Sequence, residues 1–131
     1  MKLLLDTPIL LWSLLELAML SKRVASELED PSNEIWVSPV SIWEVLVLAE
    51  KGRVILNPDP LTWIRNVLRT TPLKEAPLNH EVAIQSRTVD LPHQDPVDRF
   101  LATTVFIYDL TLVTTDKQLL KSRKFAVLAN K

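Results

Sequence analysis

The sequence predicts an α/β protein of three layers, an α/β/α sandwich with helices on both faces of a mainly parallel central sheet of four to five strands. Three observations predict it. Short runs such as Leu3-Leu4-Leu5 and Leu112-Val113 are apolar at every position, as strands covered on both faces are. Segments of helical period alternate with these runs, the order that builds a parallel sheet from crossover units. A length of 131 residues with 47% hydrophobic side chains supplies one core, so a single domain over residues 1–131 is expected.

Lys2–Leu5 is the first strand. Thr7 is expected to cap the helix that follows, with Pro8 in the first position, where a missing N–H costs nothing, and Ile9–Ala18 as its apolar face. Ser21 caps a second helix, Lys22–Glu29. Beyond the turn Asp30-Pro31-Ser32-Asn33, Glu34–Val37 favours extended backbone. A helix from about Pro39 stops at Gly52, a residue suited to the position just past a last helical turn. Its start has two readings. Ser38 followed by Pro39 makes one, and a capping box over Ser41-Ile42-Trp43-Glu44 makes the other, with Glu44 reaching back to the Ser41 N–H.

A helix near Leu61–Thr70, an extended piece near Lys74–Pro77 and a helix His80–Val89 come next. Asp95 then caps a helix opened by Pro96 and running to Tyr108, with Phe100, Leu101, Val105 and Phe106 expected to turn inward. Strand Thr111–Thr114, a short helix Lys117–Leu120 and a last strand Phe125–Leu128 complete the alternation. The four tryptophans, Trp12, Trp36, Trp43 and Trp63, read mostly as core, although aromatic side chains also suit interfaces.

Composition removes most chemistries. Without cysteine there is no thiol nucleophile, disulfide framework or thiolate zinc site. Gly52 is the single glycine, which excludes a glycine-rich phosphate cradle. His80 and His93 are the only imidazoles and read as surface residues. A net charge of −1 gives no broad attraction to nucleic acid or anionic membrane. Asp6 and Glu16 interrupt the apolar start, and no stretch is long enough to span a bilayer. A soluble, cytoplasmic chain is expected.

What remains is carboxylate chemistry. Asp6 and Asp116 each follow an apolar strand, at the edge where open parallel sheets bind ligands. Either also suits a plain turn or helix start. Glu44 lies in a helix whose other polar residue before Ala49 is Ser41, and a buried ionised carboxylate needs a partner. Asp95 and Asp98, three apart, share one helical face, Asp95 as cap and Asp98 as either dipole complement or ligand. Two carboxylates about 5 Å apart repel by roughly 3 kcal/mol at an effective dielectric near 20, so a cluster takes up protons or a cation. Hard divalent ions such as Mg²⁺ and Mn²⁺ suit oxygen ligands.

Leu3-Leu4-Leu5-Asp6-Thr7, Ser38-Pro39-Val40-Ser41-Ile42-Trp43-Glu44, Asp95-Pro96-Val97-Asp98-Arg99 and Leu112-Val113-Thr114-Thr115-Asp116, in this order across nearly the whole chain, resemble the PIN-domain ribonucleases, and among them the VapC-type toxins of toxin–antitoxin pairs. The resemblance implies an active-site quartet of Asp6, Glu44, Asp98 and Asp116 holding Mg²⁺ or Mn²⁺, with Thr114 and Asp95 supporting it. Asp6 and Asp98 are the first choice of direct ligands. Many relatives carry histidine where this chain has Pro8, and often histidine where it has Gln94, departures that bear on substrate recognition or turnover.

The implied reaction is metal-assisted hydrolysis of RNA phosphodiesters. Arg99, Lys117 and Lys121 are the nearest cations for substrate, and the run Lys121, Arg123, Lys124 suits a phosphate backbone. The resemblance also implies a homodimer and a small VapB-like antitoxin. The alternative is a catalytically inactive PIN module that binds RNA or a protein partner. A receiver domain also gathers acids around Mg²⁺, but the segments 36–40 and 73–78 lack the phosphoacceptor aspartate it needs.

Overall fold

A central strand with parallel neighbours on both sides organises the structure, a computed structural model that describes residues 1–92, 94–122 and 124–131. His93 and Arg123, named above, lie outside the described residues. Strand β1 (Lys2–Leu5) pairs with β2 (Glu34–Val37) on one side and β4 (Thr111–Thr114) on the other. Strand β3 (Leu73–Glu75) adds beyond β2, and β5 (Ala126–Ala129) beyond β4, so the order is β3-β2-β1-β4-β5 and every pairing is parallel. The sheet has five strands, the upper end of the expected range.

Alternation along β1 explains its uniformly apolar sequence. Leu3 and Leu5 join Val113, Ile9, Leu10, Val24, Val45 and Ile64 in one core, whereas Leu4 joins Leu112, Leu101, Val105 and Leu119 in the other. Successive side chains of a strand point to opposite faces, so both faces demand leucine. The first core is covered by α1 (Thr7–Leu15), α2 (Lys22–Glu29), α3 (Pro39–Glu50) and α4 (Pro60–Thr70). The second is covered by α6 (Pro96–Tyr108) and α7 (Lys117–Lys121), with α5 (His80–Ser86) packed along α6.

Several boundaries depart from expectation. Asp6, not Thr7, caps α1, its Oδ1 accepting the Ile9 N–H at 3.0 Å. The helix ends at Leu15, and Leu17–Met19 forms a separate 3₁₀ turn. For α3 the capping box is not used: Ser38 is the cap, its Oγ accepting the Val40 N–H at 3.1 Å, which places Glu44 in the second turn. Gly52 follows α3 with φ of 70°, as its freedom from a Cβ allows. Helix α5 stops at Ser86, short of Val89. On α6, Leu101 and Val105 are buried, but Phe106 is 64% exposed, because it lies beyond the stripe that meets the sheet. Trp43 is likewise exposed, at 58%.

Among the described residues no helix is long and apolar enough to cross a membrane.

Candidate active site

The connectivity itself marks a ligand position. From β1 the chain builds outward through β2 to β3, then returns to the other side of β1 for β4 and β5. The order reverses between β1 and β4, and in open parallel sheets the crevice at the carboxyl end of such a reversal is where ligands bind. Asp6 immediately follows β1, and Asp116 follows β4 by a short turn. Ser38 and then α3 follow β2, so Glu44 rises from the same edge. Helix α6 carries the chain back toward the start of β4, which puts its first turn, with Asp98, at that edge too.

Asp6 is the buried member, at 7% exposure. Its N–H extends the sheet ladder to the Val113 carbonyl at 3.2 Å, and its carboxylate both caps α1 and accepts a hydrogen bond from the Thr114 hydroxyl. Burial nevertheless pushes its proton affinity up, to a pKa of about 6. The two hydrogen bonds oppose that shift, and the negative charges of Glu44 and Asp116 add to it. Asp6 is therefore close enough to Glu44 and to Asp116 to feel the charge of each.

Thr114 is fully buried and joins the two acids that flank the reversal. Its hydroxyl donates to Asp6 and its Oγ1 accepts the Asp116 N–H at 3.0 Å. Asp116 caps α7, Oδ1 accepting the Gln118 and Leu119 N–H groups at 2.9 and 3.1 Å. Asp95 caps α6 through the Val97 N–H at 2.8 Å and is exposed, whereas Asp98 is half-buried in the first turn. Lys117 and Lys121 are exposed on α7.

Arg99 does not stand where a substrate cation is expected. It is buried, 7% exposed, and among the described residues its guanidinium donates to three backbone carbonyls: Nε to Ser86 at 2.8 Å, Nη1 to Leu91 at 3.0 Å and Nη2 to Val89 at 3.1 Å. The last carbonyls of a helix lack intrahelical partners, and a cation at that end is favoured. Arg99 answers that need for α5 and for the turn after it. Nothing in the local sequence marks this inward turn, since the carbonyls that Arg99 meets belong to another segment.

Among the described residues, no three His, Asp or Glu side chains converge closely enough to share one ion. The chemistry of the donors fits a divalent cation nonetheless. All are hard oxygens, and Asp6, whose proton affinity is raised chiefly by burial, also feels the charges of Glu44 and Asp116. Two buried hydroxyls next in sequence or one helical turn from these acids, Thr7 Oγ1 and Ser41 Oγ, have no hydrogen-bond partner among the described residues, and the water shell of a cation supplies such partners. Their roles at the edge were not legible in the sequence, since Thr7 reads there as a cap.

Comparison with known proteins agrees with this architecture. A family model described as PIN domain matches residues 3–125. Among solved structures, a chain of VapBC2 from Rickettsia felis, bound to a DNA fragment from its promoter, superposes with a TM-score of 0.74 at 14% identity, covering 100% of both chains. A chain of DNA-bound VapBC from Salmonella typhimurium gives 0.73 at 16% identity, covering 100% of this chain and 99% of that one. A toxin–antitoxin complex from Klebsiella pneumoniae gives 0.65 at 22% identity, covering 98% and 97%. At these identities the likeness is one of fold. No curated protein sequence matches the chain.

Proposed function

The chain belongs to the PIN-domain family, and from that premise we propose that it is a divalent-metal-dependent endoribonuclease, the toxin of a toxin–antitoxin pair. The observation that carries the reading is Asp6: a buried carboxylate at the sheet's reversal point, with its proton affinity raised to a pKa of about 6 by burial and by Glu44 and Asp116. In this reading Asp6 and Asp98 hold Mg²⁺ or Mn²⁺, and Asp116 and Glu44 complete the set or orient water. A cation held by those residues would supply Lewis-acid chemistry, lowering the pKa of a water and offsetting charge on the phosphate.

The remaining roles belong to the chain's own groups. Thr114 keeps Asp6 oriented and its charge partly compensated, and Asp95 fixes the start of α6. Glu44 or Asp116 takes the proton from the attacking water. Lys117 and Lys121 meet the phosphate backbone of RNA, the substrate that places the protein in the cytoplasm. Arg99 is withdrawn from that group by its burial.

For partners, the VapBC complexes that share the fold support a small VapB-like antitoxin, and a homodimer accords with the same reading. Leu10, Leu14, Leu17, Leu20, Leu28 and Leu73 line an apolar groove beside α1 and α2, a surface suited to the apolar side of such a partner. A second reading, an inactive module that binds RNA or protein through the same edge, is favoured by one observation: the described carboxylates do not converge on one point.

One experiment separates the two. Purified protein is incubated with mixed RNA and Mg²⁺ or Mn²⁺, with and without chelator, beside Asp6→Asn and Asp98→Asn. Cleavage that needs metal and vanishes in both variants supports the nuclease. RNA binding without cleavage supports the inactive module, and Asp98→Asn cutting at the wild-type rate overturns the site assignment.

A further inference from the structure

We propose that Arg99 is a positioning residue for the carboxylate site, setting where Asp98 stands by tying the start of α6 to the end of α5. The inference rests on the reading of Asp98 as a metal ligand. It concerns how that ligand is held.

Arg99 acts at two ends of one loop. Its backbone N–H closes the first turn of α6 on the Asp95 carbonyl at 3.2 Å, while its side chain gathers the carbonyls of Ser86, Val89 and Leu91. Among the described residues between those anchors, Thr88, Asp90, Pro92, Gln94 and Asp95 are exposed, Leu91 is buried and Val89 is partly so. Among its described residues Leu91 and Val89 supply the apolar docking to the second core, and the guanidinium ties down the backbone carbonyls. Asp98, adjacent in sequence, moves with the turn that Arg99 anchors.

Only arginine does this. A planar fork sends donors in several fixed directions, whereas an ammonium is a single point charge that cannot span three separated carbonyls. The burial that serves the clamp also keeps Arg99 from RNA. Groups that orient metal ligands from behind set affinity for the ion more than affinity for substrate.

The test uses the full-length chain and measures Mn²⁺ binding without RNA, by electron paramagnetic resonance, beside kcat and KM for RNA cleavage. Arg99→Lys should weaken Mn²⁺ binding by about tenfold or more and lower kcat comparably, while KM and its salt dependence stay near wild type. Val89→Gly, which loosens the same segment and leaves Arg99 in place, should weaken Mn²⁺ binding in the same direction and serves alone if Arg99→Lys does not fold. Wild-type Mn²⁺ affinity in a folded Arg99→Lys, or in Val89→Gly, overturns the proposal and leaves Arg99 a stabilising clamp alone. A raised KM with a shallower salt dependence and unchanged metal affinity also overturns it, by making Arg99 a substrate contact. If the wild-type chain binds Mn²⁺ and cuts no RNA, the nuclease reading fails, and the affinity difference still decides the role of Arg99.

Discussion

The Thr114 hydroxyl donates to the carboxylate of Asp6, linking strands β4 and β1 at the point where the sheet order reverses. The same oxygen accepts the Asp116 N–H, so one small side chain orients two acids. Thr114→Val keeps the shape and removes both bonds. It should cost about 1–3 kcal/mol, because a half-buried N–H and a buried carboxylate each lose a partner. It should also raise the Asp6 pKa further, as one of the groups lowering it is gone. Carbon-13 NMR of the Asp6 carboxyl and urea unfolding check the two outcomes.

Asp6 makes the metal-free protein less stable as pH rises. Its folded pKa of about 6 exceeds the ordinary 3.8, so the folded chain binds more protons than the unfolded chain between these values. The associated stability is complete below about pH 4 and is lost as pH rises through about 6, an effect on the order of 3 kcal/mol at most. Asp6→Asn retains an oxygen for the Ile9 N–H and removes the charge. In chelator it should unfold at higher urea than wild type at pH 7.5 and lack this component at pH 4.5. A variant less stable than wild type at pH 7.5 would contradict the origin given for the shift.

Glu44 and Asp116 both raise the Asp6 pKa through their charge. Glu44→Gln and Asp116→Asn should each lower it, and the double variant should lower it more. Asparagine at 116 still offers Oδ1 to the Gln118 and Leu119 N–H groups, so α7 should persist. NMR titration of Asp6 that moves in neither single variant would place the three acids beyond one another's reach.

In the nuclease reading, Mn²⁺ or Mg²⁺ should compete with the Asp6 proton. Added ion should raise the melting temperature at pH 7.5, and its apparent affinity should fall as pH drops below about 6. Thermal unfolding across ion concentrations at pH 5 and pH 7.5 measures this. Equal shifts at both values would remove Asp6 from the ligand set.

Phe106 and Val105, neighbours on α6, should respond in opposite ways. Val105 is buried between helix and sheet while Phe106 is exposed. Phe106→Lys should change stability by no more than about 0.5 kcal/mol. Val105→Ala should cost on the order of 2 kcal/mol through the cavity it leaves. Urea unfolding of the pair reads both.

Much of this molecule was legible as local pattern. Leucine at every position of 3–5 foretold a central strand, because a strand covered on both faces has no polar side to show. The helix starts at Ser21 and Asp95 follow short-range capping chemistry, which needs only neighbours in sequence. Where two local options competed, packing decided. The choice of Ser38 over Ser41 as cap of α3, and of Asp6 over Thr7 for α1, turned on where the preceding strand ends.

The sequence alone therefore determined the alternation of strands and helices, the parallel sheet and the identity of the acidic residues near its carboxyl edge, since each is a matter of side-chain period and local hydrogen bonding. Tertiary structure alone decided which acid is buried, which hydroxyl tempers it and that Arg99 faces inward to hold backbone rather than outward to meet a phosphate. Those depend on groups brought together from remote parts of the chain, such as Ser86 and Arg99 or Asp6 and Thr114, and no periodicity within one segment encodes the partner from another.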